Sequence, residues 1–372
     1  MDHWMTMLHG YAFLTFNRQG GSSGDRQFES ENHLMLTSMR RWWGGKLSLL
    51  GTFTLEPLTI PPEGYPLLFQ RGETYQDVLL VDRQHQHDLF VQLAARWDRR
   101  LSERVGLGVY LAPVGEPAVG PTAYPHRLSA SVDPMSPLAH HNQDSTHLSA
   151  DVVTISLGIP RVTFETSAFH GAEPDDKRWN IDQGSIDSYA GRLTLKPGGG
   201  FTFQVSAARR NEPEELEEGD QTRQTASAEY VRNTPGGFLA AALIVGRNLL
   251  PEGPEWGNGL EATWKFGGKN YLFGRVESVD RDLFELINKR QRPEGIDPDR
   301  TTVQAVTGGY MRTVPLGIFR EGVDSGLGAA VTLYRFDSIL EDTYGHTPVS
   351  AQLFLKVGFS AGGGMGHSSP HH

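Results

Sequence analysis

The stretch Phe201-Thr202-Phe203-Gln204-Val205-Ser206-Ala207 decides the fold. Successive side chains of an extended chain face opposite sides. Phe201, Phe203, Val205 and Ala207 therefore share one face, and Thr202, Gln204 and Ser206 the other. The alternation recurs in 351–360, where Ala351, Leu353, Leu355, Val357 and Phe359 oppose Gln352 and Lys356. It recurs again in 89–97, where Leu89, Val91, Leu93, Ala95 and Trp97 oppose Gln92 and Arg96. Helical spacing is scarce. The period predicts strands with one apolar and one polar or mixed face, about sixteen of them with about 14 to 18 as the range.

The links between these segments alternate in length. Short ones carry Gly, Pro and Asn, as in Trp43-Gly44-Gly45, Gly158-Ile159-Pro160 and Gly267-Gly268-Lys269-Asn270. Those residues supply the backbone angles of tight turns. Long polar links fall at 18–31, 57–86, 113–145, 171–184, 211–221, 248–256, 281–300 and 337–346. Short turns at one end and long loops at the other predict a single antiparallel transmembrane β-barrel of the bacterial outer membrane, with periplasmic turns and extracellular loops. Closure satisfies every backbone group without water. A soluble sandwich alternates too, but does not sort its links by length in this way. Trp42, Trp43, Trp97, Tyr110, Phe169, Tyr189, Phe201, Tyr230, Phe238, Trp264, Tyr271 and Phe359 are the expected interfacial girdle.

Composition agrees. The chain has 372 residues, 43 Gly, no Cys and a net charge of -10. Without Cys there are no disulfides, thiolate metal sites or Cys nucleophiles. The acidic balance argues against nucleic acid as a partner. The expected surroundings are outer-membrane lipid and lipopolysaccharide, with a homo-oligomer such as a trimer as a further expectation. Residues 1–20 lack the basic and apolar blocks of a leader, so the sequence reads as a mature form. Residues 1–7 read as a periplasmic Met/His segment, 8–360 as the barrel and 361–372 as a flexible tail.

Particular segments carry a family likeness. His9-Gly10-Tyr11-Ala12-Phe13, Gly64-Tyr65-Pro66-Leu67-Leu68-Phe69-Gln70, Asp82-Arg83-Gln84-His85-Gln86-His87-Asp88, Ala112-Pro113-Val114-Gly115-Glu116-Pro117 and His140-His141-Asn142-Gln143-Asp144-Ser145-Thr146-His147 resemble an uncharacterised family of porin-like outer-membrane proteins. The likeness covers most of 8–210. It implies a barrel in the Gram-negative outer membrane and no established substrate.

The densest polar cluster lies in 57–86 and 113–145 and the strand starts that follow. Both loops are long enough to fold into the lumen. Asp82, Arg83, His85, His87, Asp88, Glu116, His126, Arg127, Asp144 and His147, with Arg192 on the wall, are the candidate constriction. Six of the 14 His fall between 85 and 147. Imidazole with carboxylate suits borderline metal ions. His85, His87, His140 and His141 are the candidate ligands, and the competing reading is a hydrogen-bonded mouth of the barrel. No cofactor is certain; copper or another divalent metal is the candidate. Met1, His3, Met5, Met7 and His9, with Met365, His367, His371 and His372, form a second thioether–imidazole set, of the kind that suits monovalent copper. Loop 171–184 and the run Glu212–Asp220 read as solvated acidic loops. Arg96, Glu165, Arg192, Glu229, Arg275, Glu277 and Lys356 are expected to face inward, tuning ion selectivity or holding the barrel's shape.

Asp144-Ser145-Thr146-His147 does not read as a hydrolytic triad, because adjacent strand residues face opposite ways. No enzyme is expected. The favoured function is a porin-like channel for small polar solutes or metal ions. The alternative is a plugged, non-transporting barrel that anchors a cell-surface or electron-transfer assembly. A barrel enzyme acting on lipid is the third reading.

Overall fold

The computed structural model describes residues 3–362 apart from 215, 217, 218, 294 and 317–322. Its wall strands, in chain order, are β1 Met5–Arg18, β2 Asn32–Trp42, β3 Gly45–Phe53, β4 Phe90–Arg100, β5 Gly106–Gly115, β6 Ser149–Ile159, β7 Val162–Phe169 and β8 Ser188–Gly198. The second half is β9 Phe201–Arg210, β10 Gln221–Thr234, β11 Gly237–Leu250, β12 Gly253–Phe266, β13 Asn270–Asp282, β14 Arg300–Thr313, β15 Val323–Arg335 and β16 Val349–Gly362. Every neighbour pairs antiparallel, and β1 closes the cylinder by pairing with β16 from Met7↔Gly362 to Arg18↔Ala351. A short strand, Arg26–Glu29, prolongs β2 along β1, which makes the sheet seventeen-stranded by count and sixteen-stranded as a wall. Among the described residues no helix is long and apolar enough to cross a membrane.

The outward face is apolar and uncovered. Leu193, Val205, Leu243, Leu260, Val306 and Leu327 stand exposed at the middle of their strands. Their inward neighbours Thr194, Ser206, Ala242, Glu261, Thr307 and Gly326 are small or polar, and all are buried. An apolar surface this extensive is far beyond what a water-facing monomer tolerates. Lipid tails are the solvent that accepts it. Trp42 and Trp43 stack at 5.0 Å, Phe201 meets Tyr230 at 4.7 Å, and Trp264 meets Phe266 at 4.6 Å, all at the turn end. Tyr110, Phe169 and Tyr271 depart from the expected girdle and point inward: the first two pack with Val119, Val152 and Ala190, and Tyr271 lies against the cluster of Phe13 and Phe273.

Two further expectations change. The link at 248–256 is not a long loop: β11 runs to Leu250, β12 starts at Gly253, and Leu250 pairs with Gly253. Gly253 at φ 114° supplies the left-handed position that so tight a link needs. The N-terminal segment is part of the wall from Met5 onward, because Met5 pairs with Met39. Met1 of the proposed N-terminal ligand set, and Met365, His367, His371 and His372 of the C-terminal one, lie outside the described residues.

Two loops fill the cylinder. Residues 54–89 form a short helix and the hairpin Tyr65–Tyr75/Val78–Gln84. Residues 116–148 wind through the lumen with almost every side chain buried. The hairpin's Tyr65, Leu67, Leu68 and Phe69 pack on Leu138 of the second loop and on Leu286 and Leu340 of outer loops, closing the loop end with a small apolar core.

Candidate functional site: a histidine-rich plug in the lumen

Alternation on β1 and β2 aims a column of side chains inward. Leu34 and Leu36 are exposed to the outside, so His33 and Met35 face the lumen, as Tyr11 and Phe13 do across the register. Met5, Met7 and His9 continue the same face toward the turn end, opposite Met39, Thr37 and Met35.

His33 meets two histidines of the plug, His87 at 5.8 Å and His126 at 5.5 Å between ring centres. His87 lies 5.6 Å from His85 and 5.2 Å from His147. His140 lies 5.3 Å from His147 and 5.2 Å from His141, and His85 is 6.0 Å from His141. Seven imidazoles, six of them buried and His126 half-buried, thus form one connected group. The expected four, His85, His87, His140 and His141, all belong to it, but the tightest convergence is another set, His87, His140 and His147. A second set, His33, Glu56 and His87, shares His87 with the first.

Ion pairs position this group. Arg127 donates to Asp144 and, at 2.8 Å, to Glu261 on β12. Asp144 also accepts from His140 Nδ1 at 2.6 Å. Glu56 accepts from the His87 backbone N–H at 2.8 Å and lies 2.7 Å from His87 Nδ1. Asp88 pairs with Arg178 at 3.2 Å. Burial lowers His85, His141 and His147 well below the usual imidazole value, and it brings His126 down to about 4, so these rings are neutral bases at pH 7. Burial alone raises Asp144, but the Arg127 guanidinium and the neighbouring His140 outweigh it and hold that carboxyl low. Burial raises Glu116 to about 7 against the opposing pull of Arg192, 3.7 Å away.

The opposite wall holds the plug by its backbone. Arg223 donates to the His141 carbonyl at 2.5 Å and to Ser145 Oγ at 2.8 Å. Arg281 donates to the carbonyls of Phe69 and Leu138, both at 2.7 Å. Arg275 donates to those of Met135 and Ser136 at 3.1 Å and pairs with Asp133 at 3.3 Å. Gly246 and Gly257 let the plug come this close: a Cβ at Gly246 would sit 2.1 Å from the Asn142 carbonyl oxygen.

Other expected residues sit elsewhere. Asp82 binds Lys289 and, at 3.0 Å, Tyr344 of the outer loops. Arg83 reaches Asp25 at 2.9 Å near the surface. Both brace the hairpin and stand apart from the histidines. Arg192 bridges Glu165 at 2.9 Å and Glu116 on the wall beside the plug. Ser145 and His147 form no triad; His147 Nδ1 goes to the Asp144 backbone oxygen at 2.9 Å. Below the plug, a cavity of about 460 Å³ opens at the turn end beside Arg96, Asp98 and Ser156. Sequence reasoning missed Glu56, His33, Arg223, Glu261 and Arg281. His33 was open to discovery, since Leu34 and Leu36 fix its side of β2. Glu56 was not, because nothing local ties it to a histidine 31 residues away.

A closed sixteen-stranded cylinder with a lipid-facing belt, tight turns at one end and inward-folded loops is an outer-membrane barrel of the porin type. Solved structures agree. The anion-selective porin from Comamonas acidovorans is similar at a TM-score of 0.56 with 11% identity, covering 96% of this chain and 100% of that one. OprB of Pseudomonas putida gives 0.57 with 12% identity, over 96% of this chain and 94% of that one. OmpF of Salmonella typhi, solved with daunomycin, gives 0.52 with 10% identity, over 95% and 97%. At such identities the likeness is one of fold. No protein-family model matches the chain, and no curated protein sequence does.

Proposed function

We propose that the protein is a non-enzymatic outer-membrane channel whose lumen is narrowed by two inward-folded loops and admits only small polar solutes or metal ions. The observation that carries this reading is the placement of 116–148: a loop with four His, together with Arg127, Asp133 and Asp144, is buried inside the cylinder and ion-paired to its wall. Fixed charges and dipoles at a constriction select ions by sign and hydration, with no covalent step. The neutral imidazoles supply lone pairs, and Asp144, Glu261 and Glu56 supply negative charge behind them.

A second reading has a specific observation behind it. Three cavities within the plug measure about 10 to 20 Å³ each, room for single water molecules. A lumen that stays this full makes the barrel an anchor. Planar-bilayer recording of the reconstituted protein separates the two. Small discrete conductance steps support the channel; a silent bilayer, with folded protein inserted, supports the anchor.

A further inference from the structure

Three imidazoles converge in the lumen. His87 Nδ1 lies 2.7 Å from Glu56 Oε2, His140 Nδ1 lies 2.6 Å from Asp144 Oδ1, and His147 Nδ1 lies 2.9 Å from the Asp144 carbonyl oxygen. Each partner is acceptor-only when the carboxylates are ionised, so each Nδ1 carries the hydrogen, and in the neutral ring each Nε2 keeps a lone pair. The Nε2 atoms of His87 and His147 are buried and have no hydrogen-bond partner. One nitrogen from each of the three rings lies within 4.8 Å of the others. Lone pairs facing one another cannot hydrogen-bond. A single cation satisfies all three together.

We propose that His87, His140 and His147 bind a single borderline divalent cation of the Zn²⁺ or Cu²⁺ class. The inference deepens the reading of the lumen as an ion path and rests on it. The donor set is that of a three-histidine site with an open fourth position. Its outer shell is already in place, because a ligating imidazole holds its other nitrogen on a carboxylate or carbonyl. A cavity of about 20 Å³ lies against all three rings, enough for one ion or water. Tetrahedral bonds of about 2.1 Å require nitrogens about 3.4 Å apart, a short inward closure of the rings. Charge fits as well. Glu56, Asp144 and Glu261 against Arg127 leave two negative charges behind the tripod. An open coordination position allows exchange, as passage through a lumen demands.

The test uses the full chain in detergent, stripped of metal and titrated with Co²⁺ by absorption, then with Zn²⁺ in competition. One ion per chain with a nitrogen-ligand spectrum is expected. His147→Gln, which keeps a polar side chain of similar reach, and His140→Ala each lower affinity at least tenfold. His170→Ala, whose imidazole lies 2.9 Å from the Ser185 carbonyl in another loop, leaves it unchanged. Heat-modifiable migration on gels reports that each variant remains a folded barrel. Wild-type protein that takes up neither ion, or folded tripod variants that bind as wild type does, overturn the site. Conductance is read separately: channel steps without metal uptake remove the site and leave the channel, and metal uptake in a silent barrel does the reverse.

Discussion

Along β9, Phe201, Phe203 and Val205 face out and Thr202, Gln204 and Ser206 face in; along 116–148, buried apolar and buried charged residues follow each other with no period. The two regions are held by different forces. The wall is a ladder of backbone hydrogen bonds with a lipid-facing belt, and its sequence must keep period two for the whole circuit. The plug has little ladder of its own. Arginines of the wall reach in to its carbonyls, and Asp144 ties Arg127 to His140 within it. A wall residue is specified by its side of the sheet, a plug residue by a partner far away in the chain.

The largest effect expected is in the plug. Arg127→Ala leaves Asp144 and Glu261 buried without their counter-ion, and breaking a buried pair costs about 3–5 kcal/mol. Because the wall does not depend on that pair, barrel migration on gels should persist while protease sensitivity within 116–148 and channel noise rise. Loss of the barrel itself would show that plug and wall fold as one unit. Next comes the wall. Leu243→Arg puts a charge at the middle of the lipid-facing side of β11, at about 2–4 kcal/mol, measurable as reduced refolding into bilayers. A cost near zero would mean that this face does not touch lipid tails.

A smaller effect lies at the contact of the two regions. Gly246→Val drives a Cβ into the Asn142 carbonyl and is expected to cost about 1–3 kcal/mol, with looser plug packing seen by hydrogen exchange. The smallest is a pH effect. Glu116 ionises near pH 7, so raising the pH from 6 to 8 adds negative charge beside Arg192 and should shift reversal potentials toward cations. Glu116→Gln should lose that shift; if the shift persists, other groups govern selectivity.

The same contrast explains what could be read from sequence. The barrel, its strand count and its inward loops followed from alternation and link length. Tyr110 and Phe169 misled because an aromatic near a strand end looks alike on either face. The link at 248–256 misled because Pro, Gly and Asn residues suit a tight turn and a long loop equally. In the plug, the histidine-rich segments were visible, but the grouping was not. His147 replaces His85 and His141 in the tight triad because a short helix at His140–Gln143 and the turn after it bring 140 and 147 together. Arg223 and Arg281 were indistinguishable from ordinary inward charges until the carbonyls they hold were in view.

The most direct test is to record single-channel conductance of the wild type against a variant in which 120–143 is replaced by a short Gly/Ser link. A several-fold rise in conductance from an intact barrel is expected, because the loop occupies the lumen. Equal conductance in the two proteins would contradict a plug that narrows the path.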